Sequence, residues 1–174
     1  MESISRLMPY ISKHGRRTAC LTAGLATEMR LDHETVMLIV LAALFHDIGK
    51  VSVPEDILNK PGALSDSEME IVKKHVVDGY HMLQKDIPED AAEMVLYHHE
   101  NVDGSGYLGL KGSGIPMGAR IIRVCDVYDA LVSQRPYKTP WSRKKTISYM
   151  RANAGKLFDE TCVDSFCNVL ERIS

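Results

Sequence analysis

Ten consecutive apolar residues, VMLIVLAALF from Val36 to Phe45, run directly into His46 and Asp47. An unbroken apolar stretch belongs to an element buried on all sides, and ten residues is half of the roughly 20 that a membrane span needs. It reads as a buried helix. A carboxylate directly after such a helix is costly unless it is paired or bound to a metal. The chain therefore sets a chemically demanding pair at the edge of its own core.

The remaining punctuation is also helical. Leu7, Ile11, Leu21, Leu25 and Met29 mark an amphipathic helix near 5 to 29, weakened by Gly15 and Gly24. Asp32 caps the next helix, about 34 to 48, and SDSE at 65 to 68 is a capping box that opens a helix toward Leu83. Pro88 suits the first turn of a helix that ends on His98 and His99. Further apolar segments run from 117 to 132, 142 to 154 and 160 to 172. Almost nothing alternates with the period of two that a strand requires. These signals predict an all-α fold, one compact domain over residues 1–174 with about seven helices. Two long loops, VSVPEDILNKPGALS and VDGSGYLGLKGSGIP, are rich in Gly and Pro, and loops of that length in a compact domain are usually functional.

Composition narrows the function. With 45% hydrophobic residues, a chain of 174 can bury one good core. A net charge of -2 gives no electrostatic reason to expect a nucleic-acid or membrane-surface partner, so any phosphate contact must be local. The start, MESISRLMPYISKHG, lacks the basic and apolar regions of an export signal. Cysteines 20, 125, 162 and 167 form no CxxC pair, which points to reduced thiols in the cytoplasm rather than a disulfide frame or thiolate zinc site.

Five of the seven histidines, His14, His46, His75, His98 and His99, fall at or near helical segments that also carry Asp47 and Asp126; His33 and His81 lie outside this pattern. A lone histidine on an apolar helix is more often a satisfied core residue, but the pairs His46–Asp47 and His98–His99 make an inventory for more than one metal. Neighbours on a helix diverge by about 100°. One ion would struggle to take His46 and Asp47 as equals, whereas a carboxylate bridging two ions beside a histidine that takes one of them fits. Imidazole and carboxylate without thiolate select iron, manganese or zinc.

The elements HGRR at 14, HDIGK at 46, HVVDG at 75, HHENVDGSGY at 98, ARIIRVCDVYDAL at 119 and RPYK at 135 resemble, in order and spacing, the HD-GYP branch of the HD phosphohydrolase superfamily. Members of that branch hydrolyse cyclic di-GMP. The resemblance runs to LFDETCVDSF and so covers nearly the whole chain. It implies that His14, His46, Asp47 and Asp126 hold one metal. His75, His98 and His99, with Asp47 bridging, would hold its neighbour, and a hydroxide bridging the two ions would be the nucleophile. Lys50 matches a lysine on the substrate phosphate, Arg135 and Lys138 match a basic pair on its opposite side, and Tyr107 is expected to face the substrate cleft. Glu100 is expected to orient an imidazole.

Two positions depart from the family pattern. Leu108 stands where the signature Gly-Tyr-Pro has proline, with Pro116 following downstream, and this leaves the loop less rigid. Tyr10 stands where some members carry a glutamate that binds a third ion. The resulting expectation is a cyclic di-GMP phosphodiesterase that uses two divalent ions, iron or manganese with zinc as the other candidate, and yields linear pGpG or GMP. Signalling partners would meet the glycine-rich loop. The competing readings are a catalytically weak sensor of cyclic dinucleotides and an HD phosphohydrolase acting on another nucleotide.

Overall fold

A computed structural model describes residues 11–134 and 139–172, and among them every regular element is helical. The α-helices are α1 (Lys13–Glu28), α2 (His33–Phe45), α3 (Glu55–Leu58), α4 (Asp66–Lys73), α5 (His75–Leu83), α6 (Glu89–Tyr97), α7 (Met117–Val132), α8 (Arg143–Ala152) and α9 (Glu160–Arg172). Short 3-10 turns, Ile48–Ser52 and Gly112–Gly114, lie in the two long connections. The all-α expectation holds.

Side-chain caps set several starts. Ser12 Oγ accepts from Gly15 N at 2.9 Å, and Asp32 Oδ1 from Thr35 N at 3.0 Å. Ser65 and Glu68 form the reciprocal capping box at the start of α4. Gly15 and Gly24 both lie inside α1 without interrupting it.

Helix α2 is the central element and packs against α1, α6 and α7, burying Ile39, Ala42, Ala43 and Phe45. Helices α8 and α9 close the other side, where Phe158, Phe166, Met150 and Leu170 are almost fully buried.

Four boundaries differ from the sequence reading, each at the future site. The amphipathic helix expected near 5 to 29 starts at Lys13, because Ser12 is extended and caps it just before His14. The helix expected over 34 to 48 ends at Phe45, with His46 as its C-cap. Counted through to Ser52, His33–Ser52 has the length and composition of a membrane span, unlike the ten-residue run taken alone. It is not one continuous α-helix, because the chain turns at His46 and Asp47 and resumes as a 3-10 turn. The helix expected from 65 to 83 is broken at Lys74 into α4 and α5, and the helix that opens after Pro88 ends at Tyr97, just before the histidine pair.

One glycine decides how the site closes. A Cβ on Gly49 would meet the carbonyl oxygen of His75 at 2.0 Å and the amide nitrogen of Gly79 at 2.6 Å. Only glycine lets the turn after Asp47 lie this close to α5, and that contact carries Asp47 to His75.

Candidate metal centre

Side chains from five helices and one turn converge where α2, α4 and α6 end. His46 and His98 are the C-caps of α2 and α6, His99 follows directly, and His75 opens α5 at the Lys74 break. Asp126 comes from the middle of α7, His14 from the first turn of α1, and Asp47 from the turn after α2. Imidazole centroids step across the site at 5.2 Å for His14–His46, 5.0 Å for His46–His98 and 5.1 Å for His75–His99.

The helix ends explain how three of these rings are aimed. The last carbonyls of a helix lack intrahelical partners. His46 Nδ1 lies 2.8 Å from the Ala43 carbonyl, His75 Nδ1 2.7 Å from Val72 and His98 Nδ1 2.6 Å from Val95. A carbonyl only accepts, so each Nδ1 carries the proton and each Nε2 presents a lone pair. All three Nε2 atoms are buried without a hydrogen-bond partner, and so is Asp47 Oδ1. Four orphaned acceptors facing one another are what bound cations would satisfy.

Asp47 stands between two groups. Its Oδ2 is 3.6 Å from His46 Nε2, and its Oδ1 is 3.6 Å from His75 Nε2. Asp47, His75, His98 and His99 can offer one ligand atom each, all within 4.8 Å of one another, and the same is true of His14, His46 and Asp47. Asp126 Oδ1 joins the second group, 2.9 Å from His14 Nε2 and 3.8 Å from His46 Nε2. The structure thus brings together all seven residues of the sequence inventory. Among the cysteines, Cys125 lies beside Asp126 but is fully buried, and burial pushes its thiol well above the usual range.

Electrostatics divide the histidines. Burial pushes the pKa of His75 and His98 below 6.5 and that of His99 to about 3, so these imidazoles are neutral, ready ligands. His14 behaves oppositely: burial opposes its charge, but hydrogen bonds to Asp126 and Asp129 outweigh that and raise it to about 9. Burial alone would raise the pKa of Asp47, yet the neighbouring His46 and the Lys50 ammonium hold it below the ordinary carboxylate range. Lys50 Nζ donates to Asp47 Oδ2 at 2.7 Å.

Asp129 was not among the residues singled out from the sequence. It accepts from His14 Nδ1 at 2.6 Å and takes the fork of Arg17, Nε at 2.6 Å and Nη2 at 2.9 Å. The signal was present in the spacing, because Asp126 and Asp129 on α7, like His14 and Arg17 on α1, are three apart and share a helix face. Arg123 was missed as well; its Nη2 donates to Asn101 Oδ1 at 3.0 Å, and its Nη1 is 3.5 Å from His99 Nδ1.

Glu100 requires a correction. It was expected to orient an imidazole, but its Oε1 accepts the backbone N–H of Leu108 at 2.7 Å. The carboxylate restrains the glycine-rich loop, because the chain folds back over it after the histidine pair. Tyr107 packs on His99 with centroids 4.6 Å apart. Arg135, Lys138 and Tyr10 lie outside the described residues.

An HD-domain profile matches residues 1–162. The chain is 43% identical over 175 residues to the cyclic di-GMP phosphodiesterase response regulator RpfG of Xanthomonas campestris, covering 94% of this chain and 46% of that protein. It is 39% identical over 166 residues to a cyclic di-GMP phosphodiesterase of Thermotoga maritima, covering 93% of this chain and 45% of the relative. Against the 3'3'-cGAMP-specific phosphodiesterase 1 of Vibrio cholerae it is 39% identical over 144 residues, 82% of this chain and 33% of that one. The chain therefore spans less than half the length of these curated relatives. Among solved structures, Bd1817, an HDGYP protein of Bdellovibrio bacteriovorus, superposes with a TM-score of 0.77 at 20% identity over 92% of this chain and 52% of that chain, a likeness of fold.

Proposed function

The chain belongs to the HD-GYP branch of the HD-domain family, and from that membership we propose that it is a metal-dependent phosphodiesterase that hydrolyses cyclic di-GMP to linear pGpG or GMP. The observation that carries this reading is Asp47, whose two oxygens face histidines of two separate groups, beside three buried Nε2 atoms without partners. A carboxylate so placed suits a pair of ions rather than one. His14, His46, Asp47 and Asp126 would hold the first ion, and Asp47, His75, His98 and His99 the second. The donors are imidazole and carboxylate, the set preferred by iron or manganese, with zinc the alternative. When bound, such a pair supplies the nucleophile and stabilises charge developing on phosphorus.

The chain's own residues do the rest. Carbonyls at three helix ends hold His46, His75 and His98 in the tautomer that leaves Nε2 free. Lys50, three residues after Asp47 and partly exposed, provides a mobile cation that can exchange the Asp47 oxygen for a substrate phosphate. Arg135 and Lys138 are assigned to the opposite side of that phosphate on their motif, and Tyr107 to the nucleotide. Signalling partners would meet the glycine-rich loop, and the free thiols suit a cytoplasmic setting.

Protein purified without oxygen and loaded with iron, manganese or zinc is expected to convert cyclic di-GMP to its linear product. The relatives named for 3'3'-cGAMP make that dinucleotide the necessary comparison substrate. Binding without turnover under every metal would establish a sensor instead, and turnover confined to 3'3'-cGAMP would reassign the substrate.

A further inference from the structure

Glu100 carries a carboxylate at 3% exposure, immediately after His98 and His99. Its Oε1 accepts the N–H of Leu108, eight residues later in the chain. The loop between them presses closely on it: a Cβ on Gly106 would meet Glu100 Cα at 2.5 Å and the amide nitrogen of Asn101 at 2.8 Å. Asn101 Nδ2 donates to Ser105 Oγ at 3.0 Å, and Ser105 in turn donates to Asp103 Oδ1 from both its amide and its hydroxyl. Between Gly106 and Leu108 stands Tyr107. Its ring lies on His99 at an interplanar angle of 38° and edge-on to His75 with centroids 6.3 Å apart.

We propose that Glu100 is a positioning residue whose hydrogen bond to the Leu108 amide fixes Tyr107 against His99, and so builds a rigid aromatic wall of the nucleotide-binding site beside the metal groups. The proposal rests on the reading of that site as one for a cyclic dinucleotide. A tyrosine has only two side-chain torsions, so once the backbone on its C-terminal side is tied down, its ring has little freedom left. An aromatic face held in place before the ligand arrives costs no ordering on binding and can stack on a base or sugar.

The donor is a backbone N–H, which the proline of the family signature would lack, so where the missing ring was expected to leave the loop less rigid the clip restrains it instead. Any residue except proline can supply the donor at position 108. The Leu108 side chain is 45% exposed and takes no part in the clip. The amide of residue 108 is therefore required and its side chain is dispensable. Losing either partner should have the same effect, because both losses break the same bond.

Two readouts test this on the zinc-loaded protein and on the iron- or manganese-loaded enzyme. By NMR, the Leu108 amide of zinc-loaded protein should exchange slowly with solvent, and Tyr107 ring protons should show contacts to the His99 ring. Both signals should disappear in Glu100→Ala, and the ring contacts in Leu108→Pro. In the kinetic assay, KM for cyclic di-GMP should rise roughly 10-fold in Glu100→Ala and in Leu108→Pro, with no further rise in the double variant. Bound metal should be unchanged in each, and Leu108→Ala, which keeps the amide, should stay within about twofold of the parent. Fast exchange of the Leu108 amide in the parent, or persistence of the Tyr107–His99 contacts in Glu100→Ala, would overturn the clip. So would equal damage from Leu108→Ala and Leu108→Pro. If the parent hydrolysed no cyclic dinucleotide, the functional reading would fail, while the NMR arm would still decide the clip.

Discussion

Asp47 Oδ1 and His75 Nε2 lie 3.6 Å apart, both buried, neither with a hydrogen-bond partner. On the other side of the same carboxylate, His46 Nε2 stands 3.6 Å from Asp47 Oδ2 and is likewise orphaned. Asp47 is the member common to both groups of potential ligands. Asp47→Ala is therefore expected to lower metal content from two ions per chain toward zero, whereas His14→Ala should lose one ion and keep the other. Elemental analysis normalised to protein concentration checks both. At most two ions are expected, because Tyr10 stands where a third ion would need a carboxylate, and a phenol with pKa near 10 is a poor ligand for a hard divalent ion. A third fully occupied ion would refute this.

His14 gives a prediction with a sign. Its pKa in the metal-free fold, about 9, lies above the ordinary 6.5, so the charged imidazole stabilises the fold fully below pH 6.5 and this contribution is lost as pH rises through about 9. The effect should be on the order of 1–2 kcal/mol once solvent screening of a partly exposed pair is allowed for, and it should be absent in His14→Ala. Thermal unfolding of metal-free protein across that pH range measures it. Metal loading near neutral pH should also expel at least one proton per chain, that of His14, whereas burial keeps His75, His98 and His99 already neutral. Calorimetry in buffers of different ionisation enthalpy reads that proton directly.

Much of this site was legible because its chemistry conflicts with its surroundings. The run from Val36 to Phe45 marks burial, and His46 and Asp47 after it mark an expense that something must offset. What the sequence could not show was how the helices end. Periodicity carries α2 through to 48 and joins α4 to α5, but the Nδ1 atoms of His46, His75 and His98 take carbonyls three residues back, at the very points where the helices stop. Side-chain hydrogen bonds of this kind leave no hydropathy signal. The role of Glu100 was hidden for a similar reason, since its partner is a main-chain amide eight residues away and no residue type at 108 announces it.

Asp129 orients His14, and its loss should be felt by one metal group and not the other. Asp129→Asn keeps the shape of the side chain but removes the charge that holds both His14 and the Arg17 fork. Partners of metal-bound histidines are commonly worth 10–100-fold in affinity. A loss of about that size is expected for the ion at His14 and His46, with the ion at His75, His98 and His99 retained. Competition titration with a chelator resolves the two, and equal weakening of both ions would count against the assignment.

The cations around the substrate phosphate should separate by what else they touch. Lys50 Nζ donates to Asp47 Oδ2, so Lys50→Ala removes both a proposed phosphate contact and one of the charges that keep Asp47 ionised. It should raise KM and also weaken metal binding. Arg135 is assigned to phosphate and to no metal, so Arg135→Ala should leave two ions in place while losing one charge-assisted hydrogen bond of about 1.5–3 kcal/mol, roughly a 10- to 150-fold rise in KM. Arg135→Lys should recover only part of this, because an ammonium keeps the charge but not the planar fork. Steady-state kinetics alongside elemental analysis of the three variants makes the comparison. Loss of metal in Arg135→Ala would place that side chain in the metal site and overturn its assignment to the substrate.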